Sequence, residues 1–197
     1  MEIKSVNSKD FGLYGYVVEG DFSELSAALI KTPCPEKSIT YKASEETLEA
    51  TADYKKIKII FGGLDCQVGY CNGYNPNGTG MTEYHIGSEF ILAADDIILD
   101  ISHRQEINDG VVYASKFEAF RLCAGQAAVL YETTLHHAPR SDGGKCFRSI
   151  VGLLRGTNVG KPDTVVISEN GVKMTDNNKW LLPITDDNKY KSNNKKF

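Results

Sequence analysis

The chain has 197 residues, 41% of them apolar and 24% charged, with a formal net charge of −4. That length supports one large or two small domains with a core that needs no covalent staples. A mildly acidic chain whose basic residues are dispersed, apart from the C-terminal tail, lacks the clustered cations that nucleic acid requires. No stretch approaches the ~18 apolar residues of a membrane span.

The first ten residues carry charges and no apolar run, which is not the pattern of a signal peptide. Phe11–Val18, aromatic and β-branched, predicts a strand. Asp21 predicts the cap of a short helix over Phe22–Ile30, with Glu24 in the capping-box position and Phe22, Leu25 and Leu29 on one face. Pro33 and Pro35 stop it. Ser44–Ala52 predicts a second short helix capped by Ser44.

From Tyr54 onward the pattern becomes a series of short β-type runs. Strands are expected at Lys56–Phe61, Gln67–Tyr74, Thr82–His85, Glu89–Ala93, Ile97–Ile101, Phe117–Leu122, Ala127–Tyr131, Lys145–Leu154 and Thr164–Ile167. Turn residues such as Gly62-Gly63, Asn77-Gly78, Asp109-Gly110 and Gly143-Gly144 separate them. Many short strands with such punctuation, and no long helical pattern, predict an all-β sandwich or barrel. The expected division is a mixed α/β N-terminal extension over 1–53 whose short helices pack on the barrel, a β-barrel over 54–170, and a C-terminal segment over 171–197 whose polar end frays from about 186.

Five cysteines, Cys34, Cys66, Cys71, Cys123 and Cys146, are odd in number and irregular in spacing. They predict reduced thiols in a cytoplasmic protein rather than disulfides. Cys66 and Cys71 have no second pair to complete a structural zinc site.

Chemistry concentrates in two segments. In Glu83-Tyr84-His85-Ile86-Gly87-Ser88-Glu89, side chains two apart on an extended strand share a face. A strand through this segment therefore places Glu83, His85 and Glu89 together, with Gly87 leaving room for an ion or ligand. Two carboxylates and an imidazole suit Mn, Fe, Zn or Ni. The second segment, Tyr131–Pro139, ends in His136-His137. Adjacent side chains on extended backbone diverge, so one histidine joins the first cluster. The other faces solvent, a supporting shell or the substrate end of a pocket.

Glu83-x-His85-x-x-x-Glu89 resembles the first motif of the cupin superfamily, with Glu83 at its first histidine position. Ala124-Gly125-Gln126 followed by Val129–Pro139 resembles the second, with Thr133-Thr134-Leu135-His136 placing His136 at the ligand position. Within cupins the segments Glu83-Tyr84-His85, Gly87-Ser88-Glu89 and Thr133–His137 are similar to those of the ureidoglycolate lyase family, over about residues 81 to 154. Glu89 stands where that family has Gln, and Thr133 where it has a turn glycine.

The resemblance implies a cupin-type double-stranded β-helix, or jelly-roll barrel, holding a divalent metal ion on Glu83, His85, Glu89 and either His136 or His137, with His136 the expected ligand. It implies a metal-dependent lyase or isomerase acting on a small hydroxy acid or sugar derivative. The alternatives are a ligand-binding or sensory cupin without turnover and a cupin dioxygenase. Tyr84, Glu118, Tyr131, Glu132, His137 and Lys145 are candidate proton carriers, with His137, Tyr131 and Lys145 in the expected catalytic set and His137 first, because it is joined to His136. Arg121 and Arg148 are candidates to hold a carboxylate or phosphate, surface ion pairing being the plainer reading. The expected partner is a small-molecule substrate, with no nucleic acid and no membrane, and the N-terminal extension offers a surface for a homodimer.

Overall fold

The computed structural model describes residues 2–161, 164, 166, 168 and 170–186. In chain order these form β1 (Ile3–Ser5), a 3-10 turn at Lys9–Leu13, β2 (Gly15–Val18), α1 (Ser23–Leu29), β3 (Ile39–Lys42), α2 (Glu46–Glu49) and α3 (Tyr54–Ile60). There follow β4 (Cys66–Gly73), β5 (Met81–Tyr84), β6 (Glu89–Ala93), β7 (Ile97–His103), β8 (Val112–Tyr113), β9 (Glu118–Leu122) and β10 (Ala127–Leu130). The last are β11 (Thr134–Leu135), β12 (Arg140–Ser141), β13 (Phe147–Leu154), β14 (Met174–Asp176) and β15 (Lys179–Thr185). The protein is therefore mostly β-sheet with a few short helices.

The strands form three sheets. One runs β1-β9-β7-β11 with β12 also on β7; a second runs β2-β10-β6-β13-β4-β3; a third runs β14-β15-β5 with β8 also on β15. Among the described residues none of these orders returns to its first strand, so the sheets are open, and the two larger ones face each other across a shared core. The N-terminal segment contributes β1, β2 and β3 to the two large sheets in addition to its helices.

The six-stranded sheet is buried on both faces. Ile91, Ala93, Ala128, Leu130, Val151 and Leu153 point into a core shared with Ile97, Leu99, Ile101, Phe120 and Leu122 of the first sheet. The alternate residues Phe90, Leu92, Ala127, Val129 and Ile150 pack under Leu25 and Leu29 of α1, Leu48 of α2 and Ile57 of α3. Burial on both sides explains why β6 and β10 read as continuous apolar runs rather than alternating ones. The third sheet covers a smaller core of Tyr84, Val112, Phe117, Leu135, Trp180 and Leu182.

Two expected strands are corrected. Lys56–Phe61 is helical: Ile57 and Phe61 are buried four residues apart while Ile59 is 77% exposed, a helical and not an alternating period. The strand expected from Phe11 begins only at Gly15, because Phe11 lies in the 3-10 turn. The strand expected at Thr164–Ile167 and the frayed end from about 186 fall mainly outside the described residues. All five cysteines are free; Cys66 and Cys71, on opposite faces of β4, enter different cores. Among the described residues no helix is long and apolar enough to cross a membrane.

Helix capping also departs from expectation. Asp21 Oδ1 accepts from the Ser23 N–H, but the orphan N–H groups of Glu24 and Leu25 donate to Asp53 Oδ2 at 3.0 and 3.1 Å, from twenty-nine and twenty-eight residues away. Glu24 turns from the capping box to accept the Ala52 N–H. Glu45, not Ser44, caps α2. Asp53 is buried and thereby ties α1 to the start of α3 over the helical face of the large sheet. Asp53→Ala is expected to cost about 1–3 kcal/mol in denaturant unfolding, because it leaves the buried Leu25 N–H unmet and the half-buried Glu24 N–H without its cap. Asp53→Asn, which keeps an acceptor, is expected to lose less.

Candidate metal centre

Four of the sequence candidates converge where the third sheet meets the large one. Glu83 lies on β5 and Glu89 opens β6, in different sheets, with the turn at Ile86–Ser88 between them. The two are therefore brought together by a chain reversal and not by the parity of one strand. Gly87 does not leave room for an ion. Its φ is +94°, and a Cβ there would meet Leu154 Cδ1 at 2.7 Å, so glycine is demanded by the turn and by Leu154.

His136 follows β11 and pairs directly with Glu83. The Glu83 N–H donates to the His136 carbonyl at 2.7 Å, and the His136 N–H donates to the Glu83 carbonyl at 3.0 Å. An antiparallel bridge of this kind places the two side chains side by side. Glu83, His85, Glu89 and His136 are all buried.

Each imidazole is held from behind. His85 Nδ1 lies 3.0 Å from the Asn178 carbonyl, and His136 Nδ1 lies 2.9 Å from the Thr134 carbonyl. A carbonyl only accepts, so both Nδ1 atoms carry the proton and both rings offer Nε2 to the centre. His85 Nε2 is buried without a hydrogen-bond partner in the protein, 3.5 Å from Glu83 Oε1 and 3.6 Å from Glu89 Oε2. His136 Nε2 lies 3.1 Å from Glu89 Oε2. Donors bound at about 2.1 Å to a first-row ion sit roughly 3.0–3.4 Å from one another, so these separations and the mixed nitrogen and oxygen set fit a divalent cation. Glu83, His85 and His136 each offer one donor atom, all within 4.8 Å of one another, the one such group of three among the described residues. Glu89 closes the set against both histidines.

The electrostatics are those of a compressed charge cluster. Burial opposes the Glu83 charge, but His85, Lys179 and His137 outweigh it and hold its carboxyl well below the usual range. Burial likewise opposes the charge on Glu89, which His136 and His85 hold down at about 2. Burial pulls the His85 imidazole down, and the two carboxylates push it up further, to about 9.

A cavity of about 240 Å³ opens over this cluster, bordered by Glu83, Glu89, His136, His137, Tyr41 and Lys179 among others. His137 Nε2 lies 3.5 Å from Glu83 Oε2 while Thr79 Oγ1 lies 2.8 Å from its Nδ1. The ring also borders a second cavity of about 290 Å³, lined by Thr79, Asp100, Phe117 and Arg140. Burial lowers the His137 pKa, against the pull of Glu83.

The other candidates lie elsewhere. Tyr131 is 37% exposed against Tyr16, and Lys145 borders a separate cleft with Asp95 and Asp142. Tyr84 points away from the cluster and stacks on Trp180. Glu118 binds Lys4 and Tyr14, Glu132 accepts from the Gly87 N–H, and Arg121 pairs with Asp142. The Arg148 N–H is bound by Asp95.

Sequence reasoning missed Lys179 and Asn178, both from the C-terminal hairpin. Lys179 Nζ lies 2.7 Å from Glu83 Oε2 and is largely buried. Asn178, at φ +53°, clamps the turn between the two acids: its Oδ1 accepts from the Ile86 N–H and its Nδ2 donates to the Ile86 carbonyl, both at 2.9 Å. The Asn-Asn pair at 177–178 is a legible turn signal, but nothing local says which strand its hairpin joins.

An ion entering this site must displace the proton on His85. Apparent metal affinity is therefore expected to rise about tenfold per pH unit from 7 toward 9 and to level off above, as measured by calorimetric titration across that range. A flat profile counts against His85 as a ligand.

The family described as Domain of unknown function (DUF4867) matches residues 3–194. No curated protein matches the sequence. Among solved structures, the Lactobacillus farciminis oxalate decarboxylase formate complex is 14% identical over 49% of this chain and 26% of that one, with a TM-score of 0.34. Bacillus subtilis oxalate decarboxylase at pH 4.6 is 8% identical over 64% of this chain and 28% of its own, with a TM-score of 0.36. FeII HppE in complex with substrate is 12% identical over 68% and 61%, with a TM-score of 0.38. The chain spans well under half the length of the decarboxylases. Likeness at this level assigns no activity to it.

Proposed function

The chain belongs to the DUF4867 family, and we propose that it is a metal-dependent enzyme of cupin type, a lyase or isomerase acting on a small hydroxy acid or sugar derivative. One observation carries the reading: two Nε2 atoms, each set by a carbonyl behind its ring, and two carboxylates face one buried point at the base of a cavity. Structural charge clusters on a surface do not orient both imidazoles in this way.

Glu83, His85, Glu89 and His136 would hold the ion, which when bound polarises a carbonyl or hydroxyl oxygen of the substrate. The chain's own groups do the rest. Lys179 offsets the second carboxylate charge beside Glu83, and it presents an ammonium to an anionic ligand. His137, its Nδ1 beside the Thr79 hydroxyl, has an Nε2 facing the cavity to take a proton from a substrate carbon or return one. Ile39, Val151 and Pro139 give the cavity an apolar wall that excludes water. A ligand-binding role without turnover would use the same ion but would leave His137 without a task.

Wild-type protein is expected to retain about one divalent ion, and His85→Ala to bind it about a hundredfold more weakly or worse, by elemental analysis after dialysis. Equal occupancy in the two proteins removes the metal reading. His137→Gln should keep the ion and abolish exchange of the substrate carbon-bound proton with deuterated solvent. Exchange that survives this change would leave ion binding intact and overturn the proton-transfer role.

A further inference from the structure

The metal centre leaves the second cavity unused. That cavity holds about 290 Å³ and shares only His137 and Ala138 with the one over the centre. Two sheets wall it: Asp100 of β7 and Arg140 of β12 from the first, Met81 of β5 and Ile184 of β15 from the third. Arg140 pairs with Ile98 across the strands and reaches two residues along to Asp100. Its Nε–H and an Nη2–H go to the two carboxylate oxygens, the second at 2.9 Å. The two side chains are 22% and 27% exposed, so each is mostly buried yet open on one side. Arg140 Nη1 makes no bond among the described residues and is not sealed from solvent. The guanidinium therefore keeps donors to give, and each Asp100 oxygen keeps a lone pair.

Gly78 keeps the pair uncovered. Its φ is +73°, and a Cβ there would lie 3.6 Å from Arg140 Cδ and 3.9 Å from Asp100 Oδ2. Any side chain at this position would stand over the ion pair. A pair that only tied β12 to β7 would need no such open space before it. Much of the remaining lining is apolar, with Phe117, Met81 and Ile184.

Charge and volume narrow what fits. The Arg140 charge is already met by Asp100, and Asp142 adds to that pull. No surplus positive charge is left for a phosphate or carboxylate. What the cavity offers is a charged donor beside a charged acceptor. A hydroxyl uses both, accepting from the guanidinium and donating to the carboxylate, and hydroxyls on neighbouring carbons repeat the pattern. The C–H surface between them suits the apolar lining. A volume of about 290 Å³ equals roughly ten waters, which matches a polyol of about five carbons.

We infer that the second cavity is a subsite for the hydroxyl groups of a sugar or polyol chain, held by Arg140 and Asp100, and that the substrate is accordingly the sugar derivative of the two classes proposed. The substrate step rests on the metal-dependent reading above, because its link is His137, the proton carrier that borders both cavities. The subsite itself stands without a metal.

The test titrates full-length protein, metal-free and loaded with Zn(II), with xylitol, ribitol and arabinitol, with 1,2-pentanediol and with inorganic phosphate. Binding is read by saturation-transfer NMR, and zinc is quantified in the same samples. Wild type in both forms is expected to bind one pentitol about tenfold tighter than the diol, which has the same carbons and fewer hydroxyls. Gly78→Asn tolerates the left-handed backbone and covers the pair, while Ala114→Leu fills the cavity from another wall. Both leave Arg140 and Asp100 in place, and each is expected to weaken the pentitol about tenfold with zinc content unchanged. No pentitol binding, equal affinity for the diol, phosphate bound tighter than any pentitol, or affinity that survives both filled variants would overturn the subsite. The substrate step is read separately: zinc-loaded protein should exchange the carbon-bound proton of xylulose or ribulose with deuterated solvent about tenfold faster than that of hydroxyacetone. Equal rates overturn that step. Exchange of neither, or a chain that holds no zinc, tells against the metal-dependent reading, and the pentitol preference of the metal-free protein still decides the subsite.

Discussion

The pair of backbone hydrogen bonds between Glu83 and His136 is the constraint on which the centre rests. Fifty-three residues separate the two in sequence, and side-chain forces between a carboxylate and an imidazole would not by themselves hold them in register. Main-chain pairing does, at the short distances of an antiparallel bridge. Once it forms, Glu83 is fixed on the third sheet, and the turn at 86–88 can return the chain so that Glu89 enters the large sheet facing the same point. The donors are positioned by sheet geometry, with side-chain hydrogen bonds adding the last orientation.

That arrangement concentrates charge where water is scarce. Two carboxylates, two imidazoles and an ammonium lie within one buried cluster, and burial disfavours the charge of each acid. The cluster persists because opposite charges interleave: Lys179 and His85 against Glu83, His85 and His136 against Glu89. Removing one member leaves an uncompensated buried charge, which is costlier than never having built the cluster. The large sheet, packed on both faces, is the rigid support that tolerates this expense of placement.

Much of this was legible in the sequence, for physical reasons that differ by element. Glu89–Ala93 is predicted to the residue, because a strand buried on both faces is an unbroken apolar run bounded by turns. The Glu-x-His spacing and the His-His pair mark the donors, since few structural tasks demand them. The strand expected at Lys56–Phe61 failed because β-branched isoleucines carry a strand propensity that tertiary packing overrode in favour of a helical face. The site was only partly visible: parity suggested one strand where the molecule uses two sheets. Lys179 and Asn178 were invisible because their importance comes from long-range pairing of β15 with β5, and Tyr131 and Lys145 were drawn in by nearness in sequence that the fold does not convert into nearness in space.

The clamp from Asn178 has a consequence for how the protein is made. Its carbonyl fixes the His85 ring, and its side chain holds the turn at Ile86, yet it is synthesised more than ninety residues after the histidine. On the ribosome, β4 to β13 leave the exit tunnel while that ring still lacks its anchor and Glu83 still lacks its neighbouring ammonium. The His85 ring gains its last orientation, and Glu83 its counter-charge, only when the β14–β15 hairpin docks. The centre is completed after the scaffold that houses it.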